Sequence, residues 1–171
     1  MNMNKTKKLV TLSLLVSQAL VLSIIERAIP VPVPVPGIKL GLANIISLFT
    51  IIIFGLKETL VVVVLRTFLG SVFGGGFSAF LYSISGGLLS AVVMYIMYKN
   101  FKNSFSLPTI SIVGALFHNI GQLSVASLVV SNARLFYYLP VLGISAVITG
   151  ILIGFIVQYT MTPLCKILKI D

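Results

Sequence analysis

Acidic side chains are nearly missing from this chain: its 171 residues contain three, Glu26, Glu58 and Asp171, and they lie far apart. Paired-carboxylate catalysis and magnesium-diphosphate chemistry, which normally draw on clustered acids, have no basis in such a set. The chain has one histidine, His118, which argues against a zinc site. The one cysteine, Cys165, excludes an internal disulfide and a cysteine metal cluster. No glycine-rich loop runs into Lys-Ser or Lys-Thr, so no ATP site is visible and no cofactor is implied. Charge of either sign is absent over three long stretches, from Thr67 to Tyr98, from Asn103 to Ala133 and from Leu135 to Cys165.

What is there fits a lipid solvent. Hydrophobic residues make up 58% and charged residues 9% of the sequence. Each uncharged stretch exceeds the roughly 20 residues that one membrane-crossing helix requires. Lys5, Lys7 and Lys8 lead into an apolar run without a small-residue cleavage site, and that run meets Glu26, Arg27 and a proline-rich segment. It is expected to stay as a helix rather than be removed as a signal peptide. The hydropathy pattern predicts a single all-α membrane domain over 1–171 with six crossing helices, at 9–26, 40–56, 58–73, 77–98, 109–131 and 139–165.

The basic residues set an orientation. With the N-terminus inside, Lys5, Lys7, Lys8, Lys57, Lys99, Lys102, Lys166 and Lys169 fall on the cytoplasmic side, and Arg27, Lys39 and Arg134 fall outside. That bias predicts a multi-pass protein of the cell membrane with both termini cytoplasmic. The net charge of +9 is scattered singly between apolar segments, so it forms no nucleic-acid-binding stripe. Alternate prolines at 30, 32, 34 and 36, closed by Gly37, predict a stiff extended outer loop. Gly55 to Glu58 reads as a tight hairpin, and Gly74, Gly75 and Gly76 as a break between the third and fourth helices.

The candidate site consists of polar groups where polarity is expensive. Arg66 lies about 9 residues into the third predicted helix, which at about 1.5 Å per residue puts a guanidinium near the bilayer centre. It reads either as an anion-binding group in a central cavity, or as a structural ion pair with Glu26 or a snorkelling side chain. On the fifth predicted helix, Gly114, Ala115, His118, Asn119, Gly121, Gln122 and Ala126 recur at helical spacing opposite Val113, Leu116, Phe117, Ile120 and Leu123. That polar face suits ligand contact or a small-residue packing seam with interhelical hydrogen bonds. Glu26, Lys39, Asn44, Tyr82 and Arg134 surround the outer openings, with Tyr137 and Tyr138 read as interfacial belt residues. Asn44 points either inward or to a local backbone partner. Ser13 with Ser17, and Gly150 with Gly154, form small-xxx-small pairs that allow close helix approach.

These pieces resemble a known family. The run from Ala19 to Glu26, the segment from Pro36 to Asn44, Leu65-Arg66-Thr67, the stretch from Gly74 to Ser83, the stretch from Gly114 to Gln122, and Tyr137 to Pro140 resemble the Gx transporter or heptaprenyl diphosphate synthase component I family. That family is in turn similar to the S components of energy-coupling factor (ECF) transporters. The resemblance implies a six-helix, S-component-like bundle that binds a small micronutrient ligand from outside and works with a transmembrane scaffold and two cytoplasmic ATPases. It would map scaffold docking to Ser13 and Ser17 and a lid to residues 30–37.

Two functions follow as expectations. In the first, Arg66, His118, Asn119, Gln122, Asn44, Lys39, Glu26 and Tyr82 line a ligand site open to the outside, and the positive, polar lining suits an anionic ligand. The alternative is a membrane subunit of heptaprenyl diphosphate synthase. It would be non-catalytic, because prenyl condensation resembles aspartate-rich magnesium chemistry and the chain has one aspartate, Asp171. A facilitator acting alone is a third reading.

Overall fold

Long apolar runs form helices along almost the whole described chain. The computed structural model describes residues 4–29 and 39–168, with side chains as far as Met161. The predicted loop at 30–37 lies outside the described residues. Among those described there are six α-helices and no strand: α1 (Lys5–Arg27), α2 (Asn44–Phe54), α3 (Leu56–Gly70), α4 (Gly76–Phe101), α5 (Leu107–Val129) and α6 (Leu139–Leu168). An irregular turn, Ser71–Gly75, joins α3 to α4, and a 3₁₀ turn, Ala133–Tyr138, leads into α6.

Four stretches are long and apolar enough to cross a bilayer: Lys5–Arg27, Leu56–Phe101, Leu107–Val129 and Ala133–Met161. The second holds 46 residues, about twice what one crossing needs, and is broken where Phe73 and Gly74 leave helical geometry. At 11 residues, α2 is shorter than the predicted 40–56 and rises only about 16 Å. Its start is delayed because Gly41 sits at φ +89, a left-handed conformation that no helix accommodates. Between α2 and α3 only Gly55 is non-helical, so the hairpin is tighter than four residues.

This shortest helix is the centre of the bundle: α2 contacts each of the other five, and it buries Asn44, Ile46, Ser47, Leu48, Thr50 and Ile51 around much of its circumference. α5 lies between α4 and α6. α1 rests on α3 and, more lightly, on α2. The chain runs up and down, so the end of α1, the starts of α2, α4 and α6, and the ends of α3 and α5 meet at one face, called here the Glu26 end. Lys8 pairs with Glu58 at the other, where Lys57, Lys99 and Lys102 also lie.

Glycines set the closest approaches. A Cβ on Gly150 would stand 2.5 Å from the Ile112 backbone, and one on Gly86 would stand 2.6 Å from the carbonyl oxygen of His118. The backbones of α6 and α4 therefore touch α5 directly, as small residues permit in a membrane bundle. The polar face predicted for the fifth helix is its buried face, with one exception: Leu123, assigned to the outward side, is fully buried against Tyr82 and Leu142. Gly150→Val is expected to destabilise the bundle by about 1–3 kcal/mol through overpacking. Thermal unfolding in mild detergent, beside the exposed control Val147→Ala, checks this.

Candidate functional site

The last turn of α1 carries Glu26 and Arg27, adjacent in sequence and turned to different neighbours. Arg27 donates from Nη1 to the Phe73 carbonyl and from Nη2 to the Gly70 carbonyl, each at 3.0 Å. Both carbonyls lie at the C-terminal end of α3 and the irregular turn after it, and a cation suits the negative end of a helix. Glu26 points inward, where its Oε1 accepts from the backbone N–H of Gly41 and from that of Leu42 at 2.9 Å. Successive N–H groups around a left-handed glycine form an anion-binding concavity, and here a side chain of the same molecule fills it.

Arg66 lies beneath, 3% exposed, on the α3 face with Val62, Val63 and Thr67. Its Nη2 donates to Asn44 Oδ1 at 3.3 Å and its Nη1 to Ser23 Oγ at 3.5 Å, both long contacts with neutral groups. Glu26 stands close enough for Coulombic attraction but forms no ion pair with Arg66; the one ion pair among the described side chains is Lys8 with Glu58. The structure thus gives Arg66 two neutral partners in place of the Glu26 ion pair, one of the alternative readings of its position, while Glu26 Oε1 is held by the backbone at Gly41 and Leu42. A Cβ on Gly87 would stand 3.2 Å from Arg66 Nη2, so α4 passes directly beside the guanidinium.

Hydrogen-bonding capacity is left over on Arg66 and on other buried polar groups of the bundle. Arg66 Nε, Asn44 Nδ2, Ser47 Oγ, Ser83 Oγ, Ser90 Oγ and Asn119 Oδ1 are buried without a protein partner. An unmade hydrogen bond at a buried group costs about 1–3 kcal/mol, so several together are not a neutral feature of packing.

The remaining predicted residues separate into three sets. Lys39, Asn44, Glu26 and Arg66 come together, with His118 beside them: a Cβ on Gly41 would meet both His118 and Asn44. Gln122 and Asn119 are committed to the backbone. Gln122 accepts from the N–H of Lys39 at 3.0 Å and donates to its carbonyl at 2.7 Å, while Asn119 donates to the Leu142 carbonyl at 2.9 Å. Gln122 therefore fixes where the chain re-enters before α2, and Asn119 ties the start of α6 to α5. Tyr82 is buried in an apolar cluster with Leu123, Ala126, Leu135 and Leu142. Arg134 and Tyr137 are exposed and Tyr138 is half-buried at the rim. Ser23, Ser47 and Ser83 were not singled out in the sequence. Ser23 precedes Glu26 by three positions and Ser47 follows Asn44 by three, so helical spacing from an already flagged residue was the available signal.

Ser13 and Ser17 are exposed on α1, and Ser17 Oγ donates to the Ser13 carbonyl at 2.9 Å. They border a largely apolar cleft of about 310 Å³ between α1 and α3, lined also by Leu9, Leu12, Val16, Val61, Val62 and Leu65. Two further clefts, of about 330 and 300 Å³, run along the other side of α1.

Burial pushes the Lys39 ammonium down to about 8 from 10.5, against the attraction of Glu26 and with the repulsion of Arg66 and Arg27. Between those two values the unfolded chain holds a proton at Lys39 that the folded chain has released, so stability rises with pH across that window. Lys39→Met is expected to lose this rise, read as the difference in melting temperature between wild type and variant from about pH 8 to about pH 10.5. Gln122→Ala leaves both backbone groups of Lys39 without their partner. A loss of about 1–3 kcal/mol is expected in the same measurement.

A family model described as heptaprenyl diphosphate synthase component I matches residues 15–160. Comparison with curated proteins and with solved structures returns no match. The matched segment begins inside α1, ends inside α6 and takes in every residue of the buried cluster, so the chain belongs to the heptaprenyl diphosphate synthase component I family.

Proposed function

We propose that this protein is the membrane substrate-binding subunit of a micronutrient uptake transporter, similar to the S components of ECF transporters, and that it takes a small anionic ligand from the extracellular side. The observation that carries this reading is Arg66, a buried guanidinium with neutral partners and an unpaired Nε, in contact with Asn44, whose Nδ2 is also unpaired. A charge kept inside an apolar bundle is usually functional. In this reading the chain crosses the membrane six times, with the Lys8 end cytoplasmic by the excess of basic residues there. The Glu26 end then faces outside. Because the cluster is closed over, the ligand enters when Glu26 and Arg27 release the end of α1.

Transport against a gradient would require partners, a transmembrane scaffold and two cytoplasmic ATPases. The exposed face of Ser13 and Ser17 is the docking surface in this reading, since small residues let another helix approach closely.

Native mass spectrometry of the purified full chain is expected to reveal a co-purified small anion. Arg66→Ala should weaken its retention by at least about 30-fold, the effect of losing about 2 kcal/mol or more from a buried charged contact. Finding no bound molecule, together with undiminished nutrient uptake in cells carrying Arg66→Ala, would overturn the proposal.

The family's description favours a second reading, a non-catalytic membrane subunit of heptaprenyl diphosphate synthase. Deleting the gene would then alter prenyl product length or synthase activity and leave uptake of soluble nutrients unchanged.

A further inference from the structure

The cations in the buried cluster outnumber its anions. Lys39 and Arg66 are both buried at the Glu26 end, and among the described residues Glu26 is the one carboxylate buried with them. Glu58 belongs to Lys8 at the far end of α1, and Arg27 is held half-buried at the rim by the carbonyls of Gly70 and Phe73. Glu26 compensates one of the two buried cations and leaves one positive charge over. Its Oε1 is held by the N–H groups of Gly41 and Leu42, and the carboxylate makes no ion pair with Arg66. Removing a charge from water without a counter-charge is among the largest costs in a folded protein.

The unpaired donors are consistent with that count. Asn44 uses Oδ1 to accept from Arg66 Nη2, which leaves Asn44 Nδ2 and Arg66 Nε unpartnered on two side chains already in contact. Ser47 Oγ, one helical turn on from Asn44, is unpartnered as well. Both side chains carry N–H groups in flat, fixed directions, which suits an acceptor with two oxygens in a plane. Because Nη1 and Nη2 are engaged only at 3.5 and 3.3 Å, a negatively charged oxygen would compete well for them.

We infer that the ligand of this site carries a single negative charge, as a carboxylate, and that Arg66 and Asn44 grip it while Glu26 stays in place. This deepens the substrate-binding reading and rests on it. A diphosphate would bring at least two negative charges where one is missing, beside a carboxylate that is already there.

The test places the missing charge on the protein itself. Asn44→Asp substitutes a carboxylate of nearly the same shape against Arg66. In the purified full chain it is expected to raise the melting temperature by at least about 3 °C. Ser23→Asp, which delivers a carboxylate to the same guanidinium from α1, should do likewise. Benzoate is expected to stabilise wild type more than succinate, phosphate or diphosphate at matched ionic strength, and to give no further shift in Asn44→Asp. In Glu26→Gln, which leaves two positive charges uncompensated, succinate should overtake benzoate. If both aspartate variants melt at or below wild type, or if diphosphate stabilises wild type more than benzoate does, the inference is overturned. Should mass spectrometry then find a co-purified phosphate ester that Arg66→Ala loses, the substrate-binding reading survives and the single carboxylate does not. Absence of any bound molecule, together with undiminished nutrient uptake in cells carrying Arg66→Ala, removes both.

Discussion

A guanidinium inside an apolar bundle constrains everything around it. Arg66 keeps its charge away from water on the buried face of a short helix, and every element near it presents something polar. α1 contributes Ser23 and Glu26, α2 contributes Asn44 and Ser47, and α4 comes close only because Gly87 has no side chain there. Medium and cation have to be reconciled locally. The short, central α2 is where that happens, because its start delivers Asn44 while its remainder is apolar enough to be packed by all the other helices.

The same economy appears at the end of α1. Two adjacent residues of opposite charge fasten it in two directions, Glu26 to the backbone before α2 and Arg27 to the end of α3. Both fastenings use backbone groups at irregular points of the chain, at Gly41 in one case and beside the Phe73–Gly74 break in the other. Irregular backbone at membrane depth is tolerated where protein groups satisfy it, and here two charged side chains do so. Between these attachments α1 packs through Val16 and Ala19 onto Ile46 and Val62, with clefts along both flanks.

Arg66, Asn44, Lys39 and Glu26 could be recognised in the sequence, because a polar residue in or beside an apolar run carries a visible cost. Their partners could not. Gln122 joins the backbone of Lys39 across 83 positions, and Asn119 joins Leu142 across 23. In the sequence both amides looked available to a ligand, since helical periodicity reports which face a side chain occupies and not what lies across from it. Tyr82 had the same ambiguity, and packing assigned it to an apolar cluster with Leu123. An ion pair of Arg66 with Glu26 is one of the readings the sequence leaves open. It yielded to two backbone N–H groups because Gly41 turns them toward the carboxylate, a φ that no periodicity announces.

The sequence by itself determined the solvent of this protein, its all-helical build and the few positions where charge and amide groups had to be accommodated in that solvent. Those follow from local quantities, the length of apolar runs and the cost of burying a polar group. The tertiary structure alone decided which polar groups satisfy one another and which are left with unused donors. A hydrogen bond depends on distances of a few tenths of an ångström between elements far apart in the chain, and these arise only when the backbones of α4 and α6 close onto α5 at Gly86 and Gly150.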